Sequence, residues 1–239
     1  ALPELTFTDH YIKFLFPPPG ADYRWPFDPE QLRADRPATE WPVTRTYTIR
    51  SHDRARGVMA VDFVVHGAAG LAGPWAARVK AGEKIGFYGP GGAYAPDPAA
   101  PAHLLVGDEA ALPAVAAALE ALPEDAVADV FVEVADADHE IPVRRTTRTR
   151  VTWVHRGSQP YGAPLAAAVR SGWLPVPGAQ AFVHGNADFV KDLRRFLFVE
   201  HRHDRRLVSI SGYWRTGLNE DGWQGSKREF NERMEDEEQ

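Results

Sequence analysis

Hydrophobic and polar positions change rhythm along the chain near residue 98. Before that point, apolar and polar residues alternate in short runs at 11–16, 43–50, 57–65 and 84–88. A period of two is the mark of strands with one buried face. β-Branched and aromatic residues fill these runs, and turn chemistry such as Pro17-Pro18-Pro19-Gly20 and Ser51-His52-Asp53 separates them. One helical turn is predicted near 74–79. Short strands at this spacing predict an antiparallel barrel. Gly89-Pro90-Gly91-Gly92 and Pro96-Asp97-Pro98 then read as the connection to a second part.

Beyond the connection, apolar runs at 103–106, 127–134, 151–154 and 181–183 alternate with helical stretches at 110–122, 165–169 and 189–199, and 207–210 closes the series. Strand–helix alternation predicts a parallel sheet covered on both faces. The predicted fold class is therefore β plus α/β. It comprises an antiparallel β-barrel domain (1–98), a smaller α/β domain (99–211) and a C-terminal extension (212–239). The charged segment 226–239 reads as a polar helix or a disordered end.

Composition narrows the chemistry. The chain of 239 residues has no cysteine, which excludes disulfides, thiolate-held clusters and a thiol nucleophile. Redox work would need an organic cofactor, or a metal on His and carboxylates. His201-Arg202-His203-Asp204 is a weak metal motif and reads as a polar loop. A net charge of −6 argues against nucleic acid as a partner. No apolar run reaches the roughly 20 residues that span a bilayer, so no membrane insertion is expected. The N-terminus shows no signal pattern, which predicts a cytoplasmic protein.

Four segments carry candidate chemistry. In Arg45-Thr46-Tyr47-Thr48-Ile49-Arg50, Arg45 and Tyr47 share one strand face and Thr48 and Arg50 the other. A guanidinium can grip a diphosphate and an aromatic ring can cover a planar cofactor; an exposed strand of alternating polar residues is the plain alternative. In the second segment, Asp62, Val64 and His66 are expected on one face, with Phe63 and Val65 on the core face. The stretch Gly73-Pro74-Trp75-Ala76 then opens a short helix where backbone N–H groups could meet phosphate. A capped tight turn would look the same. The third, Gly107-Asp108-Glu109-Ala110-Ala111-Leu112-Pro113, leads from strand to helix, where open α/β sheets bind ligands. It lacks the G-x-G-x-x-G fingerprint, and Asp108 could simply cap the helix. The fourth, Gly212-Tyr213-Trp214-Arg215-Thr216-Gly217, is followed by Trp223. It either faces a cofactor or pins the tail to the body.

Taken together and in this order, these segments resemble the siderophore-interacting protein family over nearly the whole chain. The chain departs from the family text at Ala110, where Thr is usual, and at Asn186, where Glu is usual. The resemblance implies a ferredoxin-reductase-like fold that binds FAD and reduces ferric siderophores. The electrons would come from NADH or NADPH, with a ferredoxin as the alternative donor. It implies that Arg45 binds the diphosphate and that Tyr47 and Thr48 contact the ribityl and ring parts. Arg50, Asp62, Val64 and His66 would line the FAD site, with phosphate cradled by the backbone of Gly73, Pro74, Trp75 and Ala76. Asp108 and Glu109 would lie on the nicotinamide side, with Trp214 shielding the flavin. An anionic ferric siderophore would be met by Lys13, Arg50 and Arg215. No catalytic side chain is implied, because the flavin carries the chemistry. Other flavin reductases and a non-redox siderophore carrier are the competing readings.

Overall fold

A computed structural model describes residues 2–65, 67 and 70–237. Contacts divide these residues into two compact units, one of 2–5 and 10–93, the other of 6–9 and 94–237.

The first unit contains β1 (Tyr11–Phe16), α1 (Pro29–Asp35), β2 (Val43–Thr48), β3 (Ser51–Asp53), β4 (Val58–Ala60), α2 (Ala72–Ala76) and β5 (Gly86–Gly91). One antiparallel sheet has the order β2-β1-β5, and β3 pairs with β4 as a hairpin. The chain leaves the first sheet for the hairpin at Ile49 and Arg50. Their N–H groups donate to the carbonyls of His10 (2.7 Å) and Ala60 (2.9 Å). A strand that changes sheets in this way makes a barrel corner. The inner side is an aromatic core in which Ile12, Phe14 and Phe16 meet Ile49, Met59, Phe63, Trp75 and Phe87.

Two expectations fail here. The run 57–65 is strand only over Val58–Ala60. Val65, expected on the core face, is 53% exposed, whereas Phe63 does turn inward. The Gly89–Gly91 segment is not a connection but the end of β5, where Gly91 pairs with Tyr11. A Cβ on Gly91 would lie 2.5 Å from the Tyr11 ring, so a larger residue there would push that exposed side chain aside.

The second unit contains β6 (His103–Gly107), α3 (Leu112–Ala121), β7 (Val127–Val134), β8 (Arg148–His155), α4 (Ala163–Gly172), β9 (Gln180–Asn186), α5 (Ala187–Arg195), β10 (Val208–Trp214) and α6 (Glu220–Glu237). Five parallel strands lie in the order β10-β9-β6-β7-β8. One face packs Leu104, Val106, Ala181 and Val183 against Leu165, Val169, Phe189 and Leu193 of α4 and α5. The other packs Leu105, Val130, Val132 and Phe182 against Val115 and Leu119 of α3. α3 starts two residues later than expected because Asp108 forms the turn before it. The last turn of α5 widens into a π-helical segment over Phe196–Glu200. The charged tail folds as α6 and buries Trp223, Phe230 and Met234 against Ala187.

Candidate functional site

Parallel strands deliver all their C-terminal ends to one edge of a sheet, and ligands of open α/β sheets bind there. In the second unit Asp108 follows β6 at this edge and is 1% exposed. Its Oδ1 accepts the N–H groups of Ala110 (3.0 Å) and Ala111 (3.3 Å), which closes the turn before α3. Its Oδ2 accepts the N–H of Asn186 and the Trp214 indole N–H, each at 2.8 Å. One carboxylate thus ties together the ends of β6, β9 and β10. Burial pushes its pKa up to about 6, against the downward pull of the Trp214 and Asn186 donors. Gly185 (φ +138°) makes the tie possible, because a Cβ there would lie 2.6 Å from the Asp108 carboxylate.

A second buried cluster lies beside it. Glu133, fully buried in β7, accepts the Gly162 N–H at 2.9 Å before α4. Burial raises its pKa, opposed by that N–H and by Arg156. The Arg156 guanidinium bonds Glu109 at 3.1 Å and lies 3.5 Å from Glu133. It also sits 3.9 Å over the Tyr161 ring, a desolvated cation–π contact. Tyr161 meets Trp214 edge to face at 4.9 Å. Asp108, Trp214, Tyr161, Arg156 and Glu109 therefore form one connected chain of contacts. Its exposed part is the aromatic surface of Tyr161 and Trp214. Sequence reasoning missed Glu133, Arg156 and Tyr161. A carboxylate within the apolar stretch Val130–Val134 of β7 was the available signal.

Asp108 and Trp214 are thus brought together, and Glu109 joins them through Arg156. Asp108 offers no free oxygen to a ligand and acts by holding Trp214. Arg215 points elsewhere in this unit. Its Nε donates to Asp188 at 3.2 Å, and its guanidinium lies 4.7 Å over Phe230 of α6. His203, in the supposed metal motif, bonds the Ala179 carbonyl through Nε2 at 2.8 Å.

In the first unit, β2 pairs Arg45 with Phe14 and Tyr47 with Ile12, so both share the core face. The Tyr47 ring packs 4.3 Å from Phe63 and 6.1 Å from Phe14. Tyr47 is half-buried, with one side of its ring turned to Phe63. Arg45 Nη1 donates to the Thr44 carbonyl at 2.6 Å. Thr48 is buried on the opposite face, the side from which Lys13 projects, exposed. Arg50 is half-buried at the barrel corner, and Asp62 and Val64 are exposed. His66 lies outside the described residues. In α2, Pro74 has no N–H and the Trp75 N–H is spent on the Leu71 carbonyl. Helix α2 has only five residues, so it is a weak phosphate end. The Trp75 ring is part of the aromatic core, 5.7 Å from Phe16. Gly73 has its own reason, since a Cβ would press on the Val64 carbonyl at 3.3 Å. The first unit fits a dinucleotide flavin chemically. It holds the Arg45 guanidinium and the Tyr47 hydroxyl on one face of a strand, and exposed apolar Val64 and Val65 for a ring face.

Comparison with known proteins matches residues 2–94 to a siderophore-interacting FAD-binding domain and residues 100–217 to the siderophore-interacting protein model. An uncharacterized protein of Mycobacterium tuberculosis is 45% identical over 95% of this chain and 84% of its own length. Ferric vibriobactin reductase of Vibrio cholerae is 35% identical over 76% of this chain and 68% of its own. Among solved structures, the siderophore-interacting protein of Aeromonas hydrophila aligns with a TM-score of 0.79 at 28% identity, covering 95% of this chain and 86% of that one. Ferredoxin-NADP+ reductase from Plasmodium falciparum shares the fold, with a TM-score of 0.61 at 12% identity over 87% of this chain and 84% of its own.

Proposed function

Because the chain belongs to the siderophore-interacting protein family, we propose that it is a cytoplasmic, FAD-dependent reductase that frees iron from ferric siderophores. The observation that carries this reading is the combination of an FAD-type barrel with a separate α/β edge bearing the Asp108–Trp214 tie. The resemblance to a ferric vibriobactin reductase supports the substrate class.

FAD held by the first unit would supply the link between a two-electron hydride donor, NADH or NADPH, and the one-electron reduction of Fe(III), one hydride serving two ferric ions. The protein's part is to bind and orient. Arg45 would hold the diphosphate, and Tyr47, Thr48 and Arg50 would line the cofactor with Asp62, Val64 and the Gly73–Ala76 turn. Lys13 and Arg50 would attract the anionic siderophore. Arg215 is already held by Asp188, so its part in that attraction would be smaller. Trp214, with Glu109 nearby, would meet the electron donor at the sheet edge, its ring plane set by Asp108. Fe(II) binds hard anionic oxygens less tightly than Fe(III), so reduction is the release step.

Anaerobic visible spectroscopy tests the proposal. A flavin spectrum that bleaches with NADH or NADPH and recovers on adding a ferric siderophore is expected. A flavin that stays oxidised with both nucleotides assigns the donor to a ferredoxin. A protein that cannot be reconstituted with FAD overturns the proposal in favour of a non-redox carrier. The Arg45→Ala, Tyr47→Ala double variant should lose most of its FAD; full retention would refute the cofactor placement.

A further inference from the structure

The α/β unit has a second end, which the site at the strand C-termini does not use. There the loop entering β9 (173–179) meets the segment entering β10 (196–207). His203 Nε2 bonds the Ala179 carbonyl, and the Trp173 ring packs on Phe196 at 6.2 Å and on His203 at 6.1 Å. The two loops therefore form one surface, anchored in the core beneath.

That surface is apolar at its tips and cationic around them. Leu174 is 82% exposed, the most exposed large apolar side chain among the described residues. Pro175 and Pro177 stiffen its loop. Val176 and Val199 are each more than one-third exposed. Phe198 lies between two guanidinium groups, Arg194 at 5.4 Å and Arg205 at 4.3 Å. Residues 194–206 hold five arginines against two acids, in a chain whose net charge is −6. Glu200 pairs with Arg170 and lies near Arg195, and Asp204 pairs with Arg206, so the segment keeps a net positive charge of three.

A single exposed leucine needs no explanation. Apolar tips next to an arginine-rich segment do, because protrusions suit a soft interface and need no matching pocket. In a bilayer, the tips would enter the headgroup–acyl boundary while the guanidiniums met lipid phosphates. The remainder of the chain carries a net negative charge and would be repelled from an anionic surface, which favours approach by this end. We propose that the strand-N-terminal end of the α/β unit, centred on Leu174 and Arg194–Arg206, docks reversibly on an anionic lipid bilayer. The seven-residue strand β9 would then hold the Trp214 edge about 20 Å from the surface, at roughly 3.3 Å per residue.

Flotation of the full chain with lipid vesicles tests this. Binding is expected to phosphatidylglycerol-containing vesicles at low salt, with loss at high salt, and not to pure phosphatidylcholine. Leu174→Asp should lower binding roughly tenfold, and the Arg205→Glu, Arg206→Glu double variant should do so too. Arg228→Glu, half that charge change at a 91% exposed side chain on α6, should leave binding unchanged. Leu174 is exposed, so its variant should fold, which circular dichroism checks. No flotation at low salt, equal binding to neutral vesicles, or equal loss with Arg228→Glu would each overturn the proposal. So would retention on polyaspartate without vesicle binding, which would assign the patch to an acidic protein. The assay uses neither flavin nor siderophore, so its failure leaves the reductase proposal standing.

Discussion

Asp108 and His184 are both buried, and burial moves them in opposite senses. Asp108 rises from its ordinary 3.8 to about 6. Its contribution to stability is fully present below about pH 3.8 and is lost as pH rises through about 6. His184 falls from 6.5 to about 3, driven mainly by burial. Its contribution is present above about pH 6.5 and is lost as pH falls through about 3. Between about pH 4 and 6 the two oppose each other, each by roughly 2–4 kcal/mol at 1.36 kcal/mol per unit. Urea unfolding of Asp108→Asn should therefore lose stability more steeply on acidification than the parent. His184→Gln should lose it less steeply. Superimposable profiles for all three would mean that neither group titrates as described. Asp108→Ala removes the acceptor of the Trp214 indole and the Asn186 N–H, at a cost of about 2–4 kcal/mol. Glu109→Ala, which loses the largely buried pair with Arg156 but leaves Glu133 3.5 Å from that guanidinium, should cost about 1–3 kcal/mol by the same urea measurement. Sequence could suggest Asp108 as a helix cap, but its Oδ1 closes the turn over Ala110 and Ala111 ahead of α3. It could not show that the other oxygen is spent on Trp214, 106 residues away, because only tertiary packing creates that bond.

Among the elements, the period-two and strand–helix rhythms located β1, β2, β6 and β7 closely, since their buried faces dictate the pattern. They overran β4 because 57–65 alternates without a partner strand to pair with beyond Ala60. The Gly89–Gly91 segment deceived for the opposite reason. Its glycines serve a close approach of Tyr11 within a strand and not a turn. Helix α6 was the hardest to read, because its charges conceal a buried stripe of Trp223, Phe230 and Met234. That stripe, and not the surface pairs, should hold the helix. Trp223→Ala is expected to cost about 3–5 kcal/mol and to make residues beyond 218 sensitive to limited proteolysis. Lys191→Ala, which breaks the solvent-exposed pair with Glu237, should change protection by less than about 1 kcal/mol. If the two variants were cleaved equally fast, the tail would be held by charge and not by its apolar stripe.

For the molecule as a whole, each unit has its own core: the aromatic cluster around Phe14 and the two-sided sheet core around Leu104 and Leu105. A ligand that binds only the native form stabilises by mass action, about 2.7 kcal/mol at a hundredfold excess over its Kd. If FAD is held as proposed, hydrogen exchange should slow on FAD addition in residues 10–93, most in β2 and around α2. The same measurement separates two roles for Asp108. A residue that touches the flavin would weaken FAD binding when changed. A residue that only positions Trp214 would not. Because all its acceptor capacity described above is used within the α/β unit, Asp108→Asn should leave FAD affinity within about twofold, well under the tenfold that 1.4 kcal/mol represents. It should instead slow reduction by NADH or NADPH and shift Trp214 fluorescence. Tenfold weaker FAD binding in Asp108→Asn, with unchanged reduction of the FAD that remains, would return Asp108 to the cofactor site and remove the positioning role.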